Sequence, residues 1–332
     1  MDGVSLTLRL PSLFIGTGDF MVNYLVRRVL QAIGVILAIS LITFFILNIV
    51  PGDPVQIMLG DLATQEAIEQ VRQQMGLDRP VWSQYLNWVG NMLRGDFGTS
   101  YYQHRPVMEL LMISFGYTIR LAMFAYLLAV AIGLVFGILA AVFHNRWADK
   151  LLMVLAVGGI SAPNFWVAII LQIVFGLTLK WFPISGAKSF SYYVLPAIAL
   201  GTRYAASIAR ITRNSMLEVT KQDYIRTAEA KGLTDWLIVM RHTFRNALIP
   251  VITVAGTDLG NILTGSMLIE SVFQISGIGK LMVDAIGQRD LPLVQGGVMY
   301  IAFICVVVYL IVDLLYAVVD PRIRLGGGSS HE

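Results

Sequence analysis

Few residues in this chain could do chemistry, and they have to be picked out of long apolar stretches. Arg203, Asp258 and Asp313 are ionisable side chains placed within such stretches. Arg203 lies seven residues before Arg210, about 10 Å along a helix, and Asp258 lies eleven residues beyond Ala247, about 16 Å. An unpaired Asp or Arg near the centre of a membrane-crossing helix costs about 2.5–3.5 kcal/mol, so each calls for a partner or for water. Two arrangements satisfy that demand. Either Arg203 and Asp258 face one another or share a wet pathway between their helices, or Asp258 alone faces the pathway and meets cationic groups. Asp313, near the end of the last stretch, reads as structural.

Familiar catalytic and metal patterns are missing. There is no His-Glu-x-x-His, and no Ser-His or paired-Asp arrangement falls inside an apolar stretch. His104, His144, His242 and His331 are scattered outside the stretches, which argues against a metal site, and His144 reads as a solvated interfacial histidine. The run Ser276-Gly-Ile-Gly-Lys280 is not a phosphate-binding loop. That loop needs a glycine five residues before its Gly-Lys pair and a hydroxyl after it, where this chain has Gln274 and Leu281. Any ATP must therefore act on a partner.

One polar stretch invites a partner. Asp223-Tyr-Ile-Arg-Thr-Ala-Glu-Ala-Lys-Gly232 reads as a short helix with Asp223 as N-cap and Gly232 at the position just past its end. With alanines at 228 and 230 it has a low profile that another protein's cleft could approach closely. A loop that only joined two spans would not need such a helix.

The elements that must position these residues follow from composition. Of 332 residues, 56% are hydrophobic and 14% charged, and the mean hydropathy is +0.70, values outside the range of ordinary soluble domains. Six stretches are long enough to cross a bilayer: Val29–Val50, Ile113–Phe143, Leu151–Leu179, Val194–Ala209, Ala247–Ile269 and Pro292–Val319. They lack the alternation of membrane strands, so the expected class is an all-α polytopic membrane protein with six transmembrane helices. With both termini cytoplasmic, 14 of the 24 Lys and Arg fall inside, eight outside and two within spans, in line with the positive-inside rule.

Between the spans lie smaller elements. A cytosolic extension is expected over residues 1–22, a permease-like body over 23–325 and a tail over 326–332. The outer region 51–112 opens with the turn Pro51-Gly-Asp-Pro54. It continues with a polar helix capped by Thr64 and a second helix opened by Pro80, whose Trp82, Tyr85, Leu86, Trp88 and Val89 suit a membrane interface. Gly133, Gly137, Ala140 and Ala141 permit close packing of the second span. Pro163 should kink the third span, as a hinge or a static bend, and joins Arg203 and Asp258 as a pathway candidate. Cys305, the one cysteine, reads as packing.

With these elements placed, the chain resembles the inner-membrane permease subunits of ATP-binding-cassette importers, in the dipeptide, oligopeptide and nickel group. The likeness runs from Met21 to Arg324. It is carried by Pro51-Gly-Asp-Pro54, Met75-Gly-Leu-Asp78, Gly95-Asp-Phe-Gly98, Arg213-Asn-Ser-Met216, Arg245-Asn-Ala-Leu-Ile-Pro250 and Gln295-Gly-Gly297. Importer permeases carry a Glu-Ala-Ala, three residues, Gly, nine residues, Ile-x-Leu-Pro pattern in the loop over 210–246. Here the triplet falls on Arg226-Thr-Ala228, the glycine on Gly232 and the closing four on His242-Thr-Phe-Arg245. The departures resemble the peptide and nickel branch. The resemblance implies a type I importer permease fold and an ATPase-coupling helix formed by Asp223, Tyr224, Arg226, Thr227, Ala228, Glu229, Ala230, Lys231 and Gly232.

It also implies a pump assembled from several chains. These would be a second homologous permease, two ATP-binding subunits holding ATP and Mg, and a periplasmic or lipid-anchored substrate-binding protein that docks near 51–112 and 270–290. This chain would bind no cofactor and no nucleic acid, would not be an enzyme, and would sit in a bacterial or archaeal inner membrane. Peptides are the expected cargo, with glutathione or a nickel chelate as alternatives. A secondary transporter is the rival class, but no internal repeat supports it and it would have no use for the Asp223–Gly232 helix.

Overall fold

A computed structural model describes residues 17–49, 54–59, 63–74 and 76–319. The turn at Pro51-Gly-Asp53, residues 1–16 and the tail lie outside the described residues. Helices dominate. In chain order they are α1 (Thr17–Ile49), α2 (Pro54–Leu59), α3 (Gln65–Gln74), α4 (Val81–Leu93), α5 (Val107–Val142), α6 (Trp147–Ser161) and α7 (Asn164–Leu171). The second half holds α8 (Ser191–Val219), α9 (Asp223–Ala230), α10 (Asp235–Leu237), α11 (Arg245–Gly265), α12 (Met267–Val272), α13 (Ile278–Gly287) and α14 (Leu291–Val319). Two seven-residue π-helical segments extend them: Gln172–Thr178 continues α7, and Ile238–Phe244 joins α10 to α11.

The six expected spans fall on helical segments, the third divided between α6 and α7 and the fifth between α11 and α12, but not all are equally apolar. Among the described residues, Val26–Leu47, Val107–Val142, Asp235–Gly265 and Leu291–Asp313 are long and apolar enough to cross a membrane. A fifth crossing counts if α6 and the α7 segment to Thr178 form one span. The remaining helix, α8, is long enough at 29 residues but less apolar. It does not need to be apolar, because it is the central helix and packs against α5, α6, α7 and α11 rather than against lipid.

The α5–α8 contact is close because α5 offers glycines. A Cβ added at Gly133 would lie 2.7 Å from Ile208 Cβ and 2.8 Å from the Ala205 carbonyl, so the two backbones nearly touch there. The Gly133 and Gly137 pair thus does what its spacing suggests. The main core gathers Leu121, Ala125, Leu195, Leu200, Ile262 and Ile269 from α5, α8, α11 and α12, with Phe273 just past the end of α12.

Two expectations change. The helix α1 begins at Thr17, so residues 17–22, assigned from sequence to a cytosolic extension, are helical and continue into the first span. Pro163 does more than kink the third span. Its ring cannot continue α6 and it opens α7 from an extended backbone, and the two helices meet at 106°.

Between α1 and α5 the two short helices start where expected. The Thr64 hydroxyl accepts from the Ala67 amide at 3.3 Å ahead of α3, and Pro80 precedes α4.

Candidate coupling and translocation sites

The helix α8 is about 44 Å long at 1.5 Å per residue, longer than a bilayer core is thick, and its last turns carry Arg210, Arg213 and Asn214. Those turns lead through Thr220–Gln222 into α9. Gln222, not Asp223, is the N-cap residue; Asp223 sits one place inside, where its charge favours the positive end of the helix without a capping bond. At the other end the sequence reading holds. Gly232 takes φ +75°, its amide donates to the Glu229 carbonyl at 2.9 Å, and the Leu233 amide donates to the Ala228 carbonyl at 3.4 Å. These two bonds form a Schellman cap, completed by packing of Leu233 on Ala228.

This cap turns α9 so that Ile225 and Ala228 are buried against Ile238, Val219 and Leu233. Ala228 therefore faces its own chain, which corrects the expectation that both alanines lower the outer profile. Asp223, Arg226, Thr227, Glu229, Ala230 and Lys231 are exposed, and Tyr224 is 44% exposed with its hydroxyl accepting from Asn246 Nδ2 at 3.2 Å. Just beyond the cap, Trp236 is 72% exposed. A tryptophan in so polar a stretch is a signal readable in the sequence, and the expectations above do not include it.

The two helices that flank this loop also wall a cavity. Arg203, Tyr204, Ser207 and Arg210 of α8 face Asp258 and Asn261 of α11, with Ile160 of α6 at the edge, around about 480 Å³. The structure therefore brings Arg203 and Asp258 to one lining, within electrostatic reach but without a direct ion pair among the described residues. Asp258 Oδ2 is buried and lacks a hydrogen-bond partner, so this acceptor faces the cavity's contents or nothing. Pro163 does not line this cavity; it lies exposed three residues past Ile160.

Next to the loop, a buried ion pair fixes α8 to the α5–α6 hairpin. Arg213 holds Asp149 through Nε at 2.6 Å and Nη2 at 2.7 Å, and Asp149 also accepts from the Asn145 amide at 3.0 Å. His144 Nδ1 lies 3.3 Å from the same carboxylate and 3.2 Å from Arg213 Nη2. His144 is thus part of a polar cluster, not merely solvated. At the same end, Asp313 meets Arg28 at 3.2 Å and ties α14 to α1, consistent with a structural role.

Two more carboxylates organise the opposite end of the bundle. Asp290, 1% exposed, precedes α14 and accepts from the Ser100 hydroxyl and from the Tyr101 amide at 3.2 Å. It thereby ties the 51–112 region to the 270–290 region. Burial, with Asp290 alongside, pushes the Tyr101 hydroxyl up to about 12. Glu270 is fully buried. It accepts from Thr118 Oγ1 at 2.8 Å, Ser266 Oγ at 3.0 Å and the Lys280 amide at 3.2 Å. Burial raises its pKa while these donors pull it down. So the glycine-rich run that cannot cradle a phosphate cradles the chain's own carboxylate at the start of α13. A side chain at Gly277 would collide with the Glu270 carboxyl.

A family profile described as binding-protein-dependent transport system inner membrane component matches residues 133–325, and its N-terminal companion matches residues 21–122. The chain belongs to this family. It is 40% identical over 304 residues to the glutathione transport system permease protein GsiC of Escherichia coli (strain K12), covering 92% of this chain and 99% of that protein. The GsiC of Salmonella typhimurium (strain LT2) is 41% identical over the same share. A solved inward-facing structure of the MetNI methionine ABC transporter matches with a TM-score of 0.55 at 18% identity, over 64% of this chain and 97% of that one, and shows the fold alone. The protein is thus an importer permease with the type I fold, a multi-pass component of the inner membrane that works with ATPase and substrate-binding partners and is not itself catalytic.

Proposed function

We propose that this permease forms half of a pathway for small peptides, glutathione among them, and that α9 couples it to ATP hydrolysis on two partner subunits. One observation carries the reading: the helices entering and leaving the α9 loop, α8 and α11, are the same helices that wall the Arg203–Asp258 cavity. A push on α9 therefore reaches both walls. Ile225 and Ala228 transmit it, while Asp223, Arg226, Thr227, Ala230 and Trp236 form the surface the ATPase grips. A partner moves the equilibrium between inward- and outward-open states only if it binds them unequally, as nucleotide-dependent closure of two ATPase subunits does.

The charge of the cavity supports the cargo. Arg203 and Arg210 offer two guanidinium groups and Asp258 one carboxylate. Glutathione presents the complement, two carboxylates and one ammonium. The relatives of this chain are named for its transport. The second half of the pathway comes from a homologous permease, and an external binding protein delivers cargo at the surface that Asp290 assembles from 51–112 and 270–290. The Lys and Arg distribution supports a topology with both termini in the cytoplasm.

Ala230→Arg in the reconstituted complex tests the coupling. It points a long side chain out of the exposed face, so the complex should assemble and take up nothing when cargo and binding protein are supplied. Normal cargo-stimulated hydrolysis by this variant would remove α9 from the coupling role. Comparing dipeptides, glutathione and a nickel chelate as stimulants of the unmodified complex ranks the cargo.

A further inference from the structure

We infer that α4 lies in the plane of the membrane, with Trp82, Leu86 and Leu93 inserted among the lipid chains of one leaflet. At 100° per residue, Val81, Tyr85, Trp88 and Met92 share one side of α4, and Trp82, Leu86 and Leu93 sit beside them on the same apolar arc. Ser83, Asn87 and Arg94 lie opposite. Of the first group, Tyr85 and Trp88 pack on α1, whereas Val81 at the start of the helix is 43% exposed. The Tyr85 hydroxyl meets Ser40 Oγ at 2.9 Å, and the Tyr85 and Trp88 rings pack on Phe44 at centroid distances of 5.4 and 5.7 Å. The second group is uncovered: Trp82 is 62% exposed, Leu86 67% and Leu93 81%.

What covers them follows from depth. Among the described residues the apolar span of α1 runs over Val26–Leu47, 22 residues or about 33 Å, enough to fill a hydrocarbon core of about 30 Å, and the helix itself continues to Ile49. Ser40, Phe44 and Phe45 lie two to seven residues before Leu47, and so no less than about 3–10 Å inside the apolar end. Trp82 packs on Phe45 at 5.0 Å. A helix fastened at that depth lies at or below the headgroup level, and its uncovered apolar flank meets acyl chains. The polar arc with Asn87 then faces water, and Trp82 occupies the interfacial level where tryptophan is favoured. The depth of α4 is the same whichever way the chain is oriented.

Site-directed spin labelling of the assembled transporter in lipid nanodiscs tests this. In a Cys305→Ala background, nitroxides are placed by Leu86→Cys, Leu93→Cys and Asn87→Cys. The ratio of accessibility to oxygen over a water-soluble nickel chelate should be several-fold higher at 86 and 93 than at 87. Equal ratios at the three sites would put the flank in water and overturn the inference. Shielding of 86 and 93 from both reagents would overturn it too, because another protein subunit would then be the cover. Positions 86 and 93 are independent reporters, so a variant that fails to assemble leaves the other to decide.

Discussion

The two ends of this bundle hold their polar residues in opposite ways. At one end, α9 shows its charges to solvent: its intrahelical ion pair, Arg226 with Asp223, spans 3.9 Å between exposed side chains and contributes little to stability. At the other end, Glu270 and Asp290 are buried, and hydroxyl and amide donors from distant parts of the chain converge on each. The difference favours the coupling role proposed for α9. An exposed helix resting on Ile225 and Ala228 can be taken hold of by a partner, whereas a buried carboxylate fixes its neighbours in one arrangement. The α9 end has a buried carboxylate too, Asp149 with Arg213, and it anchors the hairpin beside α9 rather than α9 itself.

Three substitutions would break or sharpen that contrast. The largest effect is expected from Gly277→Ala, whose methyl would displace the Glu270 carboxyl from its donors. A loss of about 3 kcal/mol is expected, read as a large fall in the heat-inactivation midpoint of the purified complex. An unchanged midpoint would mean that the Glu270 cradle yields as readily as the α9 surface. Next comes Glu270→Gln, which keeps the shape but turns an acceptor toward donors as an amide NH2. The Lys280 backbone amide can only donate, and turning the new amide so that its carbonyl meets Lys280 leaves the NH2 against Thr118 Oγ1, whose hydroxyl hydrogen then loses its acceptor. About 1–3 kcal/mol should be lost by the same measurement. The smallest effect on stability belongs to Gly232→Ala. No atom lies within 4 Å of the added methyl, so only the positive φ is penalised, by about 1 kcal/mol. Transport should nonetheless fall more than stability does, because the Schellman cap sets the angle at which α9 meets its partner. Equal loss in both would make the cap a stabilising device only.

Much of this molecule was legible in its sequence wherever the cause is local. Apolar runs place the spans, because a stretch of about 20 apolar residues has few alternatives to crossing a membrane. Gly232 ends α9 because a left-handed φ favours glycine, and Thr64 and Pro80 start their helices through contacts within a turn. The glycines of α5 signal a close neighbour, though not that the neighbour is α8. Arg203 and Asp258 stand out by their depth alone.

What the sequence could not decide is everything that depends on direction or on distant partners. Which way Ala228 points follows from the cap and from Ile238, not from the Ala residues themselves. Pro163 announces a disturbance, but its 106° size comes from how α6 and α7 each pack on α8. Thr118 and Glu270 are 152 residues apart, Ser100 and Asp290 190, and Asp149 and Arg213 64. No local rule pairs residues at such separations. Only packing of the helices brings the carboxylates to their donors, and once they are buried there, leaving any of them unpartnered costs too much for another arrangement to compete.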